Sequence, residues 1–77
     1  MNTYRFRFAA QCPSDNQMIS YRGEIRTRKM IMVEDLIAAF PAHGYHETIA
    51  DDLYMRFGGH QTISAMHQGI EIETVRR

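Results

Sequence analysis

The sequence predicts a small α+β protein, an antiparallel β-sheet with two short helices packed on one face, in the order β-β-α-α-β-β. Three observations indicate this order. Apolar and polar residues alternate over residues 4–8 and 19–26, apolar residues recur at helical spacing between residues 33 and 57, and the alternation returns over residues 62–75. A chain of 77 residues is long enough for one core, so we expect a single domain spanning residues 1–77.

The first two strands form a predicted antiparallel hairpin. Aromatic residues alternate with arginines over residues 4–8, and the turn-forming residues 13–16 separate this segment from the second alternating one. The apolar residues of both strands lie on the same face of the hairpin only if the residue numbers of each cross-strand pair add up to an odd number. A sum of 29 places Arg5 opposite Glu24, and a sum of 31 places Arg7 there. In either register one arginine faces another, and that pair needs an acidic neighbour, an anion or water.

Two helices follow the hairpin. The spacing of apolar residues predicts a first helix over residues 33–40, which ends because Pro41 cannot continue it. A second helix is predicted over residues 46–57, where Gly58 and Gly59 provide a left-handed end.

The C-terminal segment returns to strand character, with Gly69 marking either a turn or a bulge. Residues 60–77 therefore form two strands or one bulged strand. If the last strand lay beside the first, Glu71 and Glu73 would meet Arg5 and Arg7, and the paired charges would form an ordinary solvated face. The predicted core consists of large apolar residues on the inner faces: Tyr4, Phe6, Phe8, Ile19, Tyr21, Ile25, Leu36, Ile37, Phe40, Ile49, Leu53, Phe57, Ile63 and Ile72.

Composition excludes several classes of protein. No run approaches the roughly 20 apolar residues of a membrane-spanning helix, and the N-terminus does not have the pattern of a secretion signal, so we expect a cytoplasmic protein with no membrane partner. The single cysteine, Cys12, excludes an internal disulfide and a multi-cysteine metal site. A core of this size contributes little net stability, which makes a homodimer an option.

The sequence shows no metal or cofactor site at familiar spacing. His43, His46 and Glu47, with His60 and His67, are the candidate metal ligands, but the first two straddle a loop–helix junction. We therefore expect four ordinary histidines.

No catalytic set is visible either. Cys12 has no histidine next to it in the sequence, which indicates a small core residue. Asp51 and Asp52 are adjacent in the second helix and point about 100° apart, a poor geometry for acid–base catalysis. These patterns predict a protein that is not an enzyme.

Charge divides the chain into a basic and an acidic half. Residues 1–29 hold six basic and two acidic residues, and residues 30–77 hold three basic and seven acidic residues. The basic hairpin is a candidate nucleic-acid site, formed by Arg5, Arg7, Arg22, Arg26, Arg28 and Lys29. The acidic helix surface is a candidate site for a partner protein with a cationic groove, formed by Glu34, Asp35, Glu47, Asp51 and Asp52.

The chain resembles the small orphan proteins of phages and mobile elements in its size and in the order of its elements. That order is a hairpin, paired helices over residues 33–40 and 46–57, and strand material over residues 62–75. Anti-CRISPR proteins are the best-known members of that group. The resemblance implies a non-enzymatic inhibitor that binds a nuclease or a nucleic-acid-handling complex. The alternative is a small nucleic-acid-binding regulator that uses the basic hairpin.

Overall fold

The computed structural model describes all residues from 1 to 77 and contains four strands and two helices. The predicted element order is confirmed, and residues 60–77 form two separate strands. The elements are β1 (Asn2–Gln11), β2 (Met18–Thr27), α1 (Val33–Ala38), α2 (His46–Phe57), β3 (His60–His67) and β4 (Ile70–Arg76). Neither helix has the length and apolar character needed to cross a membrane.

The four strands form one antiparallel sheet in the order β1-β2-β3-β4. In the first hairpin Arg5 lies opposite Glu24 and Arg7 opposite Arg22, so the register with sum 29 is confirmed. The second hairpin turns at Gln68 and Gly69, both with positive φ, which is the geometry of a tight two-residue loop.

This tight turn places β4 beside β3, at the opposite edge of the sheet from β1. Glu71 and Glu73 therefore lie across the sheet from Arg5 and Arg7 and do not pair with them. The arrangement that would have neutralised the arginines of β1 does not occur.

α1 ends earlier than the predicted boundary at residue 40. After Ala38 the chain continues in tighter turns, where the N–H of Ala39 donates to Leu36 O (3.1 Å) and the N–H of Phe40 donates to Ile37 O (3.2 Å). Leu36 is buried, but the side chain of Ile37 is 59% exposed, so its assignment to the core is wrong. The predicted bounds of α2 are confirmed.

The core lies between the helices and one face of the sheet. α2 packs Ile49 and Leu53 against Tyr21 and Ile63 in the main cluster, while Leu36 of α1 packs in a second cluster with two isoleucines of β2 and the loop after it. The predicted core residues that are buried are Ile19, Tyr21, Ile25, Leu36, Ile49, Leu53 and Ile63. Those only half-buried are Tyr4, Phe6, Phe8, Phe40, Phe57 and Ile72.

The half-buried aromatic rings belong mainly to the β1 edge of the sheet. Phe6 and Phe8 stack on Phe40, with ring centroids 5.2 and 4.8 Å apart. These rings cover one another where no full helix covers them, which explains why they are half-buried and not buried.

The turn after α2 is fixed by a buried glutamine. Gln61 is 1% exposed, and its Nε2 donates to Leu53 O (3.0 Å) and Gly58 O (2.7 Å). Because these are carbonyls at the end of the helix, the side chain attaches the start of β3 to the C-terminus of α2. The predicted left-handed end is confirmed, since Gly58 and Gly59 have φ values of 62° and 73°.

Candidate functional site

The loop before α2 is attached to the end of β1. The N–H of Gln11 donates to Ala42 O (2.9 Å), and the N–H of Gly44 donates to Gln11 O (3.1 Å). The resulting short parallel bridge holds the first turn of α2 near Cys12, the residue that follows β1.

A cavity of about 380 Å³ lies at this end of the sheet, on the face that carries the helices. It is lined by the β1–β2 turn, β2, the start of α2, and β3 and β4. Its polar and aromatic lining residues are Cys12, Ser14, Tyr21, Tyr45, His46, Glu47 and His67. The volume falls within the range of small-molecule sites in proteins, which begins at about 300 Å³.

Two reactive side chains of the cavity wall, Cys12 and His67, lie close to the carboxylate of Asp15. Cys12, Asp15 and His67, called the thiol cluster below, place their ligating atoms within 4.8 Å of one another. His67 Nε2 lies 2.7 Å from Asp15 Oδ2. Thiol, imidazole and carboxylate are the three group types of a nucleophile, its base and the group that orients the base.

Asp15 is held in place as an ionised carboxylate. The backbone N–H of Gln17 (3.0 Å), His67 and the Nε2 of Gln68 (2.7 Å) hydrogen-bond to it. These hydrogen bonds, that of Gln17 first, hold the pKa of Asp15 well below its usual range. An ionised carboxylate only accepts hydrogen bonds, so His67 donates through Nε2, and a neutral ring then carries its basic lone pair on Nδ1.

His46 adds an unusual imidazole to the cavity. Both of its ring nitrogens are buried without a hydrogen-bond partner in the protein, and the ring tilts against Tyr21 with centroids 5.4 Å apart. Burial lowers the pKa of His46, which favours the neutral ring. The ring also lines the cavity, but both of its nitrogens lie beneath the cavity surface.

The four histidines occupy different parts of the structure. His46 and His67 line the cavity together with Glu47, whereas His43 and His60 do not. The group with metal-ligand geometry is instead the thiol cluster, which contains His67 alone of the four histidines.

The burial predicted for Cys12 is confirmed, since it is 4% exposed, and the fold brings near it a histidine that is distant in the sequence. His67 reaches it because β2 and β3 pair with Tyr21 opposite Ala65, which places the β1–β2 turn beside the end of β3. No local motif in the sequence signals this contact.

The arginines of the basic hairpin occupy the face of the sheet opposite the helices. Arg5 and Arg7 of β1 and Arg22 and Arg26 of β2 are exposed there, and Arg28 and Lys29 are exposed in the loop after β2. We call the first four the arginine face. Part of it lines a groove of about 540 Å³.

The acidic helix surface is not a uniform negative patch. All five of its carboxylate residues are exposed, but Asp51 accepts a hydrogen bond from Arg76 Nε at 2.9 Å and Glu47 lines the cavity. Its role as a protein-binding site stays a prediction.

Together these features define a class of small α+β protein. Two β-hairpins flank a pair of helices, and the hairpins join into one four-stranded antiparallel sheet with both helices on one face. A solved structure with the same fold is that of an archaeosine synthase, QueF-like, in the apo form. The TM-score is 0.75, covering 97% of this chain and 89% of that chain, at 19% sequence identity. No family model matches the sequence, and neither does any curated protein.

This likeness corrects the functional interpretation. The fold matches that of a synthase, so the interpretation as a phage- or mobile-element-encoded inhibitor of the anti-CRISPR type is wrong. The expectation of a non-enzyme rested on the lack of a nucleophile next to a base in the sequence. The thiol cluster removes that ground.

Proposed function

We propose that this chain is a thiol-dependent enzyme of nucleoside modification, which binds a planar heterocycle in the 380 Å³ cavity and attacks it with Cys12. The observation that carries the proposal is that Cys12 and His67 line this cavity, with their ligating atoms and the carboxylate of Asp15 within 4.8 Å of one another. A buried thiol that only filled space would not need a histidine and an ionised carboxylate at this distance.

The structural neighbour supports the substrate class. Its name describes the synthesis of archaeosine, a modified nucleoside, and the two chains share nearly their whole fold. The exposed ring of Tyr45 gives the cavity a flat surface on which a heterocycle can stack. The carboxylate of Glu47 provides a hydrogen-bond acceptor for the edge of that heterocycle.

The chemistry follows from the order of the groups. His67 accepts the thiol proton, and the Cys12 sulfur adds to a carbon that is doubly bonded to nitrogen or oxygen. The electron pair of that double bond moves to the heteroatom, which takes the proton back from His67. Asp15 keeps the imidazole oriented and stabilises its positive charge between the two transfers. The step needs no metal, oxidant or further reactant.

The free thiol also suits the compartment. A catalytic cysteine must stay reduced, and a chain with one cysteine cannot protect it in a disulfide. We therefore propose a cytoplasmic location.

The test is the rate at which iodoacetamide alkylates Cys12 at neutral pH, compared with the rate in the chain unfolded by urea. A passive thiol that is 4% exposed reacts much more slowly when folded. We expect the folded wild type to react faster than the unfolded chain, and His67→Gln to lose that advantage by about 10-fold or more.

His43→Gln is the matched control, because His43 is an exposed histidine outside the cavity. Circular dichroism verifies that each variant is folded. A folded wild type whose thiol is protected, with equal rates in the His67 and His43 variants, would overturn the proposal.

A further inference from the structure

The arginine face concentrates positive charge that the protein itself does not neutralise. Arg7 and Arg22 are direct cross-strand partners, an arrangement in which like charges repel. Neither they nor Arg26 has a carboxylate oxygen within 4.0 Å, and Arg5 has only Glu24, at 3.0 Å.

The remaining acidic residues of this sheet face are too far across it to help. Glu73 is in register with Arg7 and Arg22, but Ser64 of β3 stands between them, and Glu71 lies in the next row of β4. The face thus has a basic half on β1 and β2 and an acidic edge on β4. An anion of matching size would relieve the repulsion between Arg7 and Arg22.

The arginines line a groove rather than a flat surface. The 540 Å³ groove contains Arg5, Arg7 and Arg22 together with the hydroxyl residues Thr62 and Ser64. A second depression of about 430 Å³ shares Arg7, Arg22 and Ser64 and extends towards Ser20, Met66 and Glu71 at its acidic edge. The two depressions follow the strands towards the end of the sheet that carries Cys12.

We infer that the arginine face binds the phosphodiester backbone of RNA. Guanidinium groups match phosphate oxygens with paired hydrogen bonds, and two directly opposed arginines can hold one phosphate between them. Arg5 and Arg7 are two residues apart on a strand, about 6.7 Å, which is close to the separation of successive phosphates along a nucleic-acid strand.

The groove also indicates how the RNA is read. Phe6 and Phe8 point to the other face of the sheet, so this face has no aromatic platform on which bases would stack. The hydroxyls of Thr62 and Ser64 suit phosphate oxygens and ribose 2′-hydroxyls. Binding is therefore expected to depend on the backbone and little on base sequence. The choice of RNA over other polyanions rests on the proposed function.

The test is fluorescence anisotropy of a labelled 20-nucleotide RNA with the full chain, between about 50 and 200 mM salt. The variant is Arg7→Gln/Arg22→Gln, which removes the opposed pair and leaves Arg5 with Glu24. The matched control, Arg56→Gln/Arg77→Gln, removes the same charge from two exposed arginines outside the groove. Circular dichroism verifies the folding of both variants.

We expect the wild type to bind at low salt and the groove variant to lower the slope of log affinity against log salt by about two units. The control should leave that slope nearly unchanged, as should a change of RNA sequence. No binding by the wild type at low salt, or equal losses in the two variants, would overturn the inference. So would binding of polyglutamate as tight as that of RNA, since it would indicate an acidic protein partner.

Alkylation of Cys12 in the same variants separates this inference from the proposed function. Arg7 and Arg22 lie on the opposite sheet face from the thiol cluster, so the groove variant should keep the wild-type alkylation rate. If RNA binding fails while the thiol stays reactive, only the RNA inference is overturned. If the thiol is inert while RNA binds through Arg7 and Arg22, only the catalytic proposal is overturned.

Discussion

Replacing Leu53 by alanine tests how α2 is held on the sheet. Leu53 is 1% exposed and lies in the main cluster with Ile49, Tyr21 and Ile63. The substitution removes three carbon atoms from a fully buried position, which costs about 2.4 kcal/mol in transfer free energy alone. The cavity that remains raises the cost, and comparable substitutions in other cores range up to about 5 kcal/mol. We therefore expect a loss of about 3–4 kcal/mol.

Such a loss is a large part of the stability of a domain this small. For 60–100 residues, each kcal/mol lowers the melting temperature by about 4–8 °C, so the variant should melt at least about 12 °C below wild type. The assay is thermal and urea unfolding followed by circular dichroism.

Met55→Ala is the control, since Met55 lies in the same helix but is 82% exposed, and its removal should change stability by no more than about 0.5 kcal/mol. Equal melting temperatures for Leu53→Ala and wild type, or equal losses in the two variants, would refute the packing described for α2.

Two further predictions concern the pH dependence of stability and the packing of β1. Burial lowers the pKa of His46 from the ordinary 6.5, so the stability due to its neutral ring is fully present above pH 6.5 and is lost as pH falls towards the folded-state pKa. Urea midpoints across this range should fall less steeply in His46→Phe, and parallel curves would show that this ring is not protected from protonation. A Cβ added at Gly23 would lie 2.1 Å from Phe6 Cε2, and Phe40 stacks on that ring, so Gly23→Ala should cost about 1–3 kcal/mol in urea unfolding. An alanine variant as stable as wild type would show that Phe6 moves freely.

Local patterns in the sequence were sufficient to predict most of the fold. The alternation in β1 and β2 reduced the possible pairings of the two strands to two registers. One of these two is the register observed in the structure. Gly58 marked the end of α2, and Gly69 marked either a turn or a bulge, of which the structure has the turn; φ is positive at both positions. The position of β4 beside β3 follows from that two-residue turn.

The candidate site was not predictable in the same way. Cys12 and His67 lie in different hairpins, and they meet only because β2 pairs with β3 across the inserted helices. The spacing of residues in the sequence does not show which distant strands pair. The exposure of Ile37 had a similar origin, since a helical periodicity does not show where the chain tightens beyond Ala38.

The most direct test of the central claim is whether a nucleobase in the cavity shields Cys12. The measurement is the alkylation rate of Cys12 in the intact protein, followed by mass spectrometry, with adenine, guanine, cytosine or uracil added at millimolar concentration. Ribose 5-phosphate is the control ligand, because it offers no planar ring to stack on Tyr45. We expect at least one base to slow alkylation several-fold, while ribose 5-phosphate has no effect. Alkylation that is unchanged by all four bases would contradict the proposed function.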